Sequence, residues 1–126
     1  MSFIFVGLGG GIGAYARYLL TKLFNQIMPL FPYGTLFSNV IAALLIGFII
    51  GMERQTTALP DQVKLFLTTG LLGGLSTFSA FSIETIDLIE KKSYILAGGN
   101  ILLNVGLSLF CVLIGLAAAK LLAALI

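Results

Sequence analysis

The sequence has no histidine or tryptophan, a single cysteine and few charged residues. Of its 126 residues, 10% are charged and 59% are hydrophobic. Without histidine, a single chain cannot form His-Cys zinc sites or the Ser-His and Cys-His pairs of nucleophilic catalysis, and one cysteine cannot form an intrachain disulfide. Seven basic and five acidic residues give a net charge of +2, which is too low for the clustered basic surface that binds nucleic acid. We therefore expect neither an enzyme nor a nucleic-acid-binding protein.

Long apolar stretches predict an all-α integral membrane protein. A bilayer core is about 30 Å thick, so each spanning helix needs about 20 mostly apolar residues. The four predicted spans cover about residues 3–24, 35–52, 63–90 and 94–122. Because these spans use most of the chain, we expect residues 1–126 to form one domain. We expect a multi-pass protein in the lipid bilayer of the cell membrane, that is, the plasma or inner membrane.

Basic residues are balanced between the two ends of the predicted spans. One side carries Arg54, Lys64 and Lys120, and the other carries Lys22, Lys91 and Lys92. The orientation of a membrane protein normally follows an excess of Lys and Arg on the cytoplasmic side. Since neither side has an excess, the charges leave two possibilities open: insertion in both orientations, or one orientation fixed by a single dominant loop.

The third span contains a segment that is poorly suited to a continuous helix. Three glycines fall within residues 70–74 and a Ser/Thr cluster follows at once. Each glycine weakens a helix by about 1 kcal/mol relative to alanine, so we predict a break near residues 73–77. Irregular backbone at mid-membrane survives where it is buried in protein or lines a cavity. Phe78 and Phe81 follow on roughly one helix face, either as packing residues or as the lining of a path.

Polar residues in the second and fourth spans recur on single helix faces. Thr35 and Asn39 lie one turn apart, and Asn100, Asn104 and Ser108 repeat every four residues. Polar groups in a bilayer usually face the protein interior or a wet path. The uncharged stripe on the fourth span is either a hydrogen-bonded seam between helices or a path for an ion or water.

The first span combines small residues with one arginine. The glycines within residues 7–13 favour close helix packing. Arg17 follows Gly13 by one turn. It either provides positive potential at the mouth of an anion path or is a structural arginine that snorkels or binds carbonyl groups.

Three stretches of the chain resemble the small fluoride channels known as Fluc or CrcB proteins. They are residues 9–18 (GGGIGAYARY), residues 34–39 (GTLFSN) and residues 68–84 (TTGLLGGLSTFSAFSIE). The resemblance implies a fluoride-selective passive channel that exports toxic cytoplasmic fluoride. It also implies an antiparallel homodimer of four-helix subunits with a broken third helix and two pores at the subunit interface. Such dual topology agrees with the balanced charges.

The resemblance further implies roles for individual residues. Asn39 would be the pore asparagine and offer an amide N–H to the ion, while Phe78 and Phe81 would line the ion path. The broken helices of the two subunits would cross at the two-fold axis. There they would hold a structural sodium ion through the backbone carbonyls of Gly73 and Ser76. The other residues implied at the pore are Arg17, Thr35, Ser79, Glu84, Asn100, Asn104 and Ser108.

The main alternative is a small dual-topology, proton-coupled exporter of cationic compounds, similar to the small multidrug resistance proteins. Such an exporter shares the length, the four spans and the weak charge bias. Those proteins carry a membrane-embedded glutamate in the first span, whereas no acidic residue precedes Glu53 here. A scaffold subunit without transport activity is a second alternative, but it does not explain a helix break at mid-membrane.

Overall fold

The computed structural model describes residues 1–56 and 59–126, and the regular structure in these ranges is helical. Four helices in them are long and apolar enough to cross a membrane. They are α1 (Ser2–Ile27), α2 (Tyr33–Gln55), α3 (Asp61–Glu90) and α4 (Tyr94–Leu125). The predicted all-α class with four spans is therefore confirmed.

Proline and a tight turn separate these helices. Pro32 and Pro60 directly precede α2 and α3, where the missing proline N–H costs no helical hydrogen bond. The turn after α3 contains Lys92 in the left-handed region, with φ of 61°. The N–H of Ser93 donates to the Leu88 carbonyl at 2.9 Å, a pattern that caps a helix end. A tight turn at Lys91–Ser93 thus separates α3 from α4.

Helix α3 is not uniform along its length. It is π-helical over Leu65–Leu72 and α-helical over Gly73–Leu75 and Phe78–Glu90. Between the last two segments, Ser76 and Thr77 are extended, with φ/ψ of −76°/153° and −152°/124°. We refer to these two residues as the α3 interruption. It divides α3 into an N-terminal half, which packs on α1, and a C-terminal half, which packs on the first part of α4.

The glycines before the α3 interruption keep helical backbone and allow close packing instead. Gly73 has φ/ψ of −64°/−36°. A methyl group at Gly70 would lie 2.9 Å from the Val6 carbonyl oxygen, and one at Gly74 would lie 3.1 Å from the Ala14 nitrogen. These contacts are with α1, so the backbones of α1 and α3 approach at a distance that only glycine permits.

The helices bury a small core, and large apolar side chains cover the outside. Ala42, Leu72 and Leu75 form the buried cluster between α2 and α3. Exposed apolar residues include Phe3, Ile95, Leu109 and Leu113. A soluble monomer rarely exposes continuous apolar surface on this scale, whereas lipid tails accept it. The chain is therefore a multi-pass membrane protein.

Candidate functional site

A cavity of about 430 Å³ lies beside the α3 interruption, between α2, α3 and α4. Its wall is mostly apolar and includes Phe78 and Phe81, whose ring centroids are 5.5 Å apart with planes at 55°. Phe81 is buried, whereas Phe78 is 77% exposed in the single chain. The polar residues that line the cavity are Asn39, Thr68, Ser76, Thr77, Asn104 and Ser108. In the single chain this is an open, mostly apolar pocket with a few hydrogen-bonding groups, as is typical of a site for a small ligand.

Asn39 holds the α3 interruption in place. Its Oδ1 accepts from the Thr77 backbone N–H at 2.7 Å, and its Nδ2 donates to the Thr77 carbonyl at 3.2 Å. The same Nδ2 donates to Asn104 Oδ1 at 2.9 Å. Both hydrogens of this amide therefore already have protein acceptors. An Asn39 N–H that binds the ion, as the resemblance implies, would have to leave one of these bonds first.

The polar stripe of α4 forms a seam with the C-terminal half of α3. Asn104 Nδ2 donates to the backbone oxygen of Asn100 at 2.9 Å and to its Oδ1 at 2.8 Å. Asn100 Nδ2 donates to the Thr85 hydroxyl at 2.9 Å. Asn100 is fully buried and does not line the cavity. For Asn100 the structure therefore shows the hydrogen-bonded seam, while Asn104 lies both in the seam and at the cavity.

Ser108 is the exception in this stripe. Its hydroxyl is buried at the cavity wall, and no hydrogen-bond partner for it lies within residues 1–56 or 59–126. Buried hydroxyls are normally paired, because an unsatisfied one costs about 1–3 kcal/mol. A π-helical segment, Leu103–Leu107, directly precedes it, and such segments occur frequently at functional sites. The Ser108 hydroxyl is thus a buried donor at the cavity wall that has no partner among the described residues.

Two backbone carbonyls at the α3 interruption have lost their usual helical donors. In a continuous helix the Gly73 carbonyl would accept from Thr77 N–H, and the Ser76 carbonyl from Ala80 N–H. Here Thr77 N–H donates to Asn39 Oδ1, and Ala80 N–H donates to the Thr77 hydroxyl at 3.2 Å. Carbonyl oxygens suit hard cations. The donor set at Gly73 and Ser76 therefore fits a sodium ion.

Several predicted residues lie outside the cavity and contact other parts of the fold. Arg17 Nε donates to the Gly74 carbonyl at 3.1 Å, so carbonyl binding, one of the two alternatives for this residue, is observed. The Thr35 hydroxyl donates to the Glu84 carboxylate. The Ser79 hydroxyl lies 3.3 Å from that of Thr77.

The structure therefore divides the predicted site residues into two groups. The cavity brings together Asn39, Gly73, Ser76, Phe78, Phe81, Asn104 and Ser108. The residues that do not line it are Arg17, Thr35, Ser79, Glu84 and Asn100. Sequence reasoning missed Thr85, which is buried and accepts the Asn100 hydrogen bond. The sequence feature that could have identified Thr85 is its hydroxyl on the helical segment after the break, where it can accept a hydrogen bond from an asparagine of the α4 stripe.

The sequence of this chain is similar to those of known proteins along most of its length. The profile of the family described as "CrcB-like protein, Camphor Resistance (CrcB)" matches residues 4–116. The "Fluoride-specific ion channel FluC" of Clostridium novyi (strain NT) is 49% identical over 121 residues, which are 93% of this chain and 92% of that protein. The protein of the same name from Geobacter metallireducens is 41% identical over 121 residues, 95% of this chain and 98% of that one. The similarity therefore covers almost the full length of this chain and of each of the two relatives.

Proposed function

The chain belongs to the CrcB family, and on this premise we propose that it is a passive fluoride-selective channel and not an enzyme. Relatives named fluoride-specific ion channels support the choice of ion. The observation that carries the proposal is the apolar cavity with its buried Ser108 hydroxyl, which has no hydrogen-bond partner in the described part of the chain. A proton-coupled exporter of cations is not favoured, because the cavity lining in the described part of the chain contains no carboxylate.

The groups at the cavity match the chemistry of a small anion. Fluoride is strongly hydrated, so a pore must replace its water with donors without binding it too tightly. The Ser108 hydroxyl can donate without breaking a protein hydrogen bond. The edges of aromatic rings carry partial positive charge, so Phe78 and Phe81 can face the ion with C–H groups and exclude water. The lining residues described here include no Lys or Arg to trap the ion.

The proposal is tested by efflux from proteoliposomes, followed with a fluoride electrode and, in parallel, with a chloride electrode. We expect fluoride efflux driven by its own gradient, without a requirement for a proton gradient, and little chloride efflux. Equal passage of both halides would contradict selectivity. Passage of neither would contradict the channel itself, and strict dependence on a proton gradient would favour the exporter.

Replacing Ser108 with alanine is expected to lower fluoride flux about ten- to hundredfold, the range for one hydrogen bond to a charged group. The melting temperature in detergent should not fall and should rise if the hydroxyl is unsatisfied in the free protein, because it has no protein partner to lose within residues 1–56 and 59–126. The matched control is Ser38→Ala on α2, since that buried hydroxyl donates to the Gly34 carbonyl at 2.8 Å and does not line the cavity. It should lower stability and leave flux unchanged. Unchanged flux in Ser108→Ala together with reduced flux in Ser38→Ala would show that Ser108 does not contact the ion.

Replacing Phe78 or Phe81 with isoleucine is expected to suppress fluoride flux without dissociating the assembled protein. Isoleucine keeps an apolar surface but has no ring edge to face an anion. Efflux and size-exclusion chromatography measure the two effects separately. Phe110→Ile is the control, because Phe110 is exposed on α4 and lies outside the cavity lining. Full fluoride flux in both cavity variants would show that Phe78 and Phe81 only pack and do not line the ion path.

Antiparallel pairing of two chains and a sodium ion between them belong to the same proposal. Gly73 and Phe78 line the cavity yet are exposed in the single chain, which supports a second chain that completes the wall. The α3 interruptions of the two chains would then meet, and the carbonyls of Gly73 and Ser76 would hold the ion. The ion would neutralise the carbonyl dipoles and link the subunits. Labelling of one introduced cysteine from both sides of the membrane tests the pairing.

A further inference from the structure

We propose that Thr85 is a positioning residue that sets the orientation of the three asparagine amides next to the cavity. Thr85 itself does not line the cavity, so it acts through its neighbours. The consequence for flux rests on the proposed function. The orientation of the asparagine amides does not depend on the proposed function, and it can be measured separately from flux.

The Thr85 hydroxyl has one hydrogen, and this hydrogen is already used. It points to the Phe81 carbonyl, 2.8 Å away on the same helix. Towards α4 the oxygen can therefore only accept. Asn100 must then present its NH₂ group to Thr85 and not its carbonyl oxygen, as observed at 2.9 Å.

This constraint passes along the seam from one amide to the next. With its NH₂ group at Thr85, Asn100 turns Oδ1 towards Asn104, which donates to it at 2.8 Å. Asn104 consequently turns its own Oδ1 towards Asn39, which donates at 2.9 Å. Asn39 is left with Oδ1 facing the Thr77 N–H. Reversing one amide alone would place two donors or two acceptors against each other.

The hydrogen-bond chain is therefore held at both ends. The Thr77 backbone N–H can only donate, and the Thr85 hydroxyl can only accept from α4. If the Thr85 end is removed, Asn100 loses its acceptor in a fully buried position, where solvent cannot replace it. Asn100 can then turn its amide, and Asn104 loses the bond to Asn100 Oδ1. The amides of Asn104 and Asn39 at the cavity are then held from the Thr77 end alone.

The critical variant is Thr85→Val, which keeps the side-chain shape and removes the hydroxyl. We expect fluoride flux to fall about tenfold, as for the loss of one buried hydrogen bond, and Thr85→Ser to restore it. The matched control is Ser82→Ala on the same helix. The Ser82 hydroxyl makes an equivalent bond to the Phe78 carbonyl at 2.8 Å but does not contact the asparagines. It should leave flux unchanged.

Two further measurements separate positioning from packing. In an Asn100→Leu background, Thr85→Val should add no further loss, because a positioning residue acts through its partner. By NMR, the side-chain amide protons of Asn100 and Asn104 should exchange faster in Thr85→Val than in wild type or Ser82→Ala. If Thr85→Val does not assemble alone, the double variant, which removes both partners, should assemble.

The outcomes distinguish this inference from the proposed function. Three results would each overturn the role of Thr85. They are wild-type flux in Thr85→Val, a Thr85→Val substitution that lowers flux as much in the Asn100→Leu background as in the wild type, and unchanged exchange of the asparagine amide protons. Absence of fluoride flux in the wild type would overturn the proposed channel, while the exchange experiment would still decide the role of Thr85.

Discussion

Replacing Asn39 with alanine is expected to abolish fluoride flux and to lower the stability of the fold by about 3 kcal/mol or more. The substitution leaves three groups without their partner: the Thr77 N–H, the Thr77 carbonyl and Asn104 Oδ1. Each unsatisfied buried group costs about 1–3 kcal/mol. Because these bonds also hold the α3 interruption, the wall of the cavity should lose its shape. Electrode efflux and thermal melting in detergent measure the two effects.

Two variants make this prediction specific. Asn39→Asp keeps an acceptor for the Thr77 N–H but places a carboxylate oxygen opposite the Thr77 carbonyl and Asn104 Oδ1, so it should not rescue flux. Asn25→Ala changes an exposed asparagine at the end of α1 and should be close to neutral. If Asn39→Ala kept the flux and melting temperature of Asn25→Ala, the bonds to Thr77 would not be what maintains the site.

Replacing Gly13 with alanine is expected to separate α1 from α3. A Cβ atom at Gly13 would overlap the Leu71 carbonyl oxygen and lie 2.8 Å from the Leu75 nitrogen. Both atoms are backbone, so relief requires one helix to move. Overpacking of this kind typically costs about 1–3 kcal/mol, more than the helix propensity that alanine restores. Arg17, one turn further along α1, should also lose its bond to the Gly74 carbonyl, and flux should fall.

The same helix provides a matched control. A methyl group at Gly11 would meet no atom of residues 1–56 or 59–126 within 4 Å beyond its own stretch of helix. Gly11→Ala should therefore be neutral or slightly stabilising through helix propensity. The measurement is the melting temperature of the purified protein, with flux as the second readout. Similar melting temperatures for the two variants would show that α1 and α3 do not pack as closely at Gly13 as described.

The positions of the helices could be predicted because their causes are local. The length of each apolar stretch is set by the bilayer, and prolines precede α2 and α3. The predicted ends of each span differ from the observed ends by three residues or fewer. The polar positions in the second and fourth spans were recognisable for the same reason, since helical spacing alone places Asn100 and Asn104 on one face.

The state of each polar group depends on residues that are distant in sequence. A break was predicted near residues 73–77 from the glycines; within that range Gly73 stays helical and the extended residues are Ser76 and Thr77, because Asn39 of α2 takes the Thr77 N–H. Residue spacing could not show that the Asn100 amide donates a hydrogen bond to Thr85 while the Ser108 hydroxyl has no partner among the described residues. Composition and periodicity thus determined the class, the spans and the polar positions, while the resemblance to the fluoride channels supplied the roles of the individual candidate residues. Packing between helices determined which hydrogen bonds form and which donor has no partner in residues 1–56 and 59–126, because a hydrogen bond requires two groups that only the folded chain brings within about 3 Å of each other.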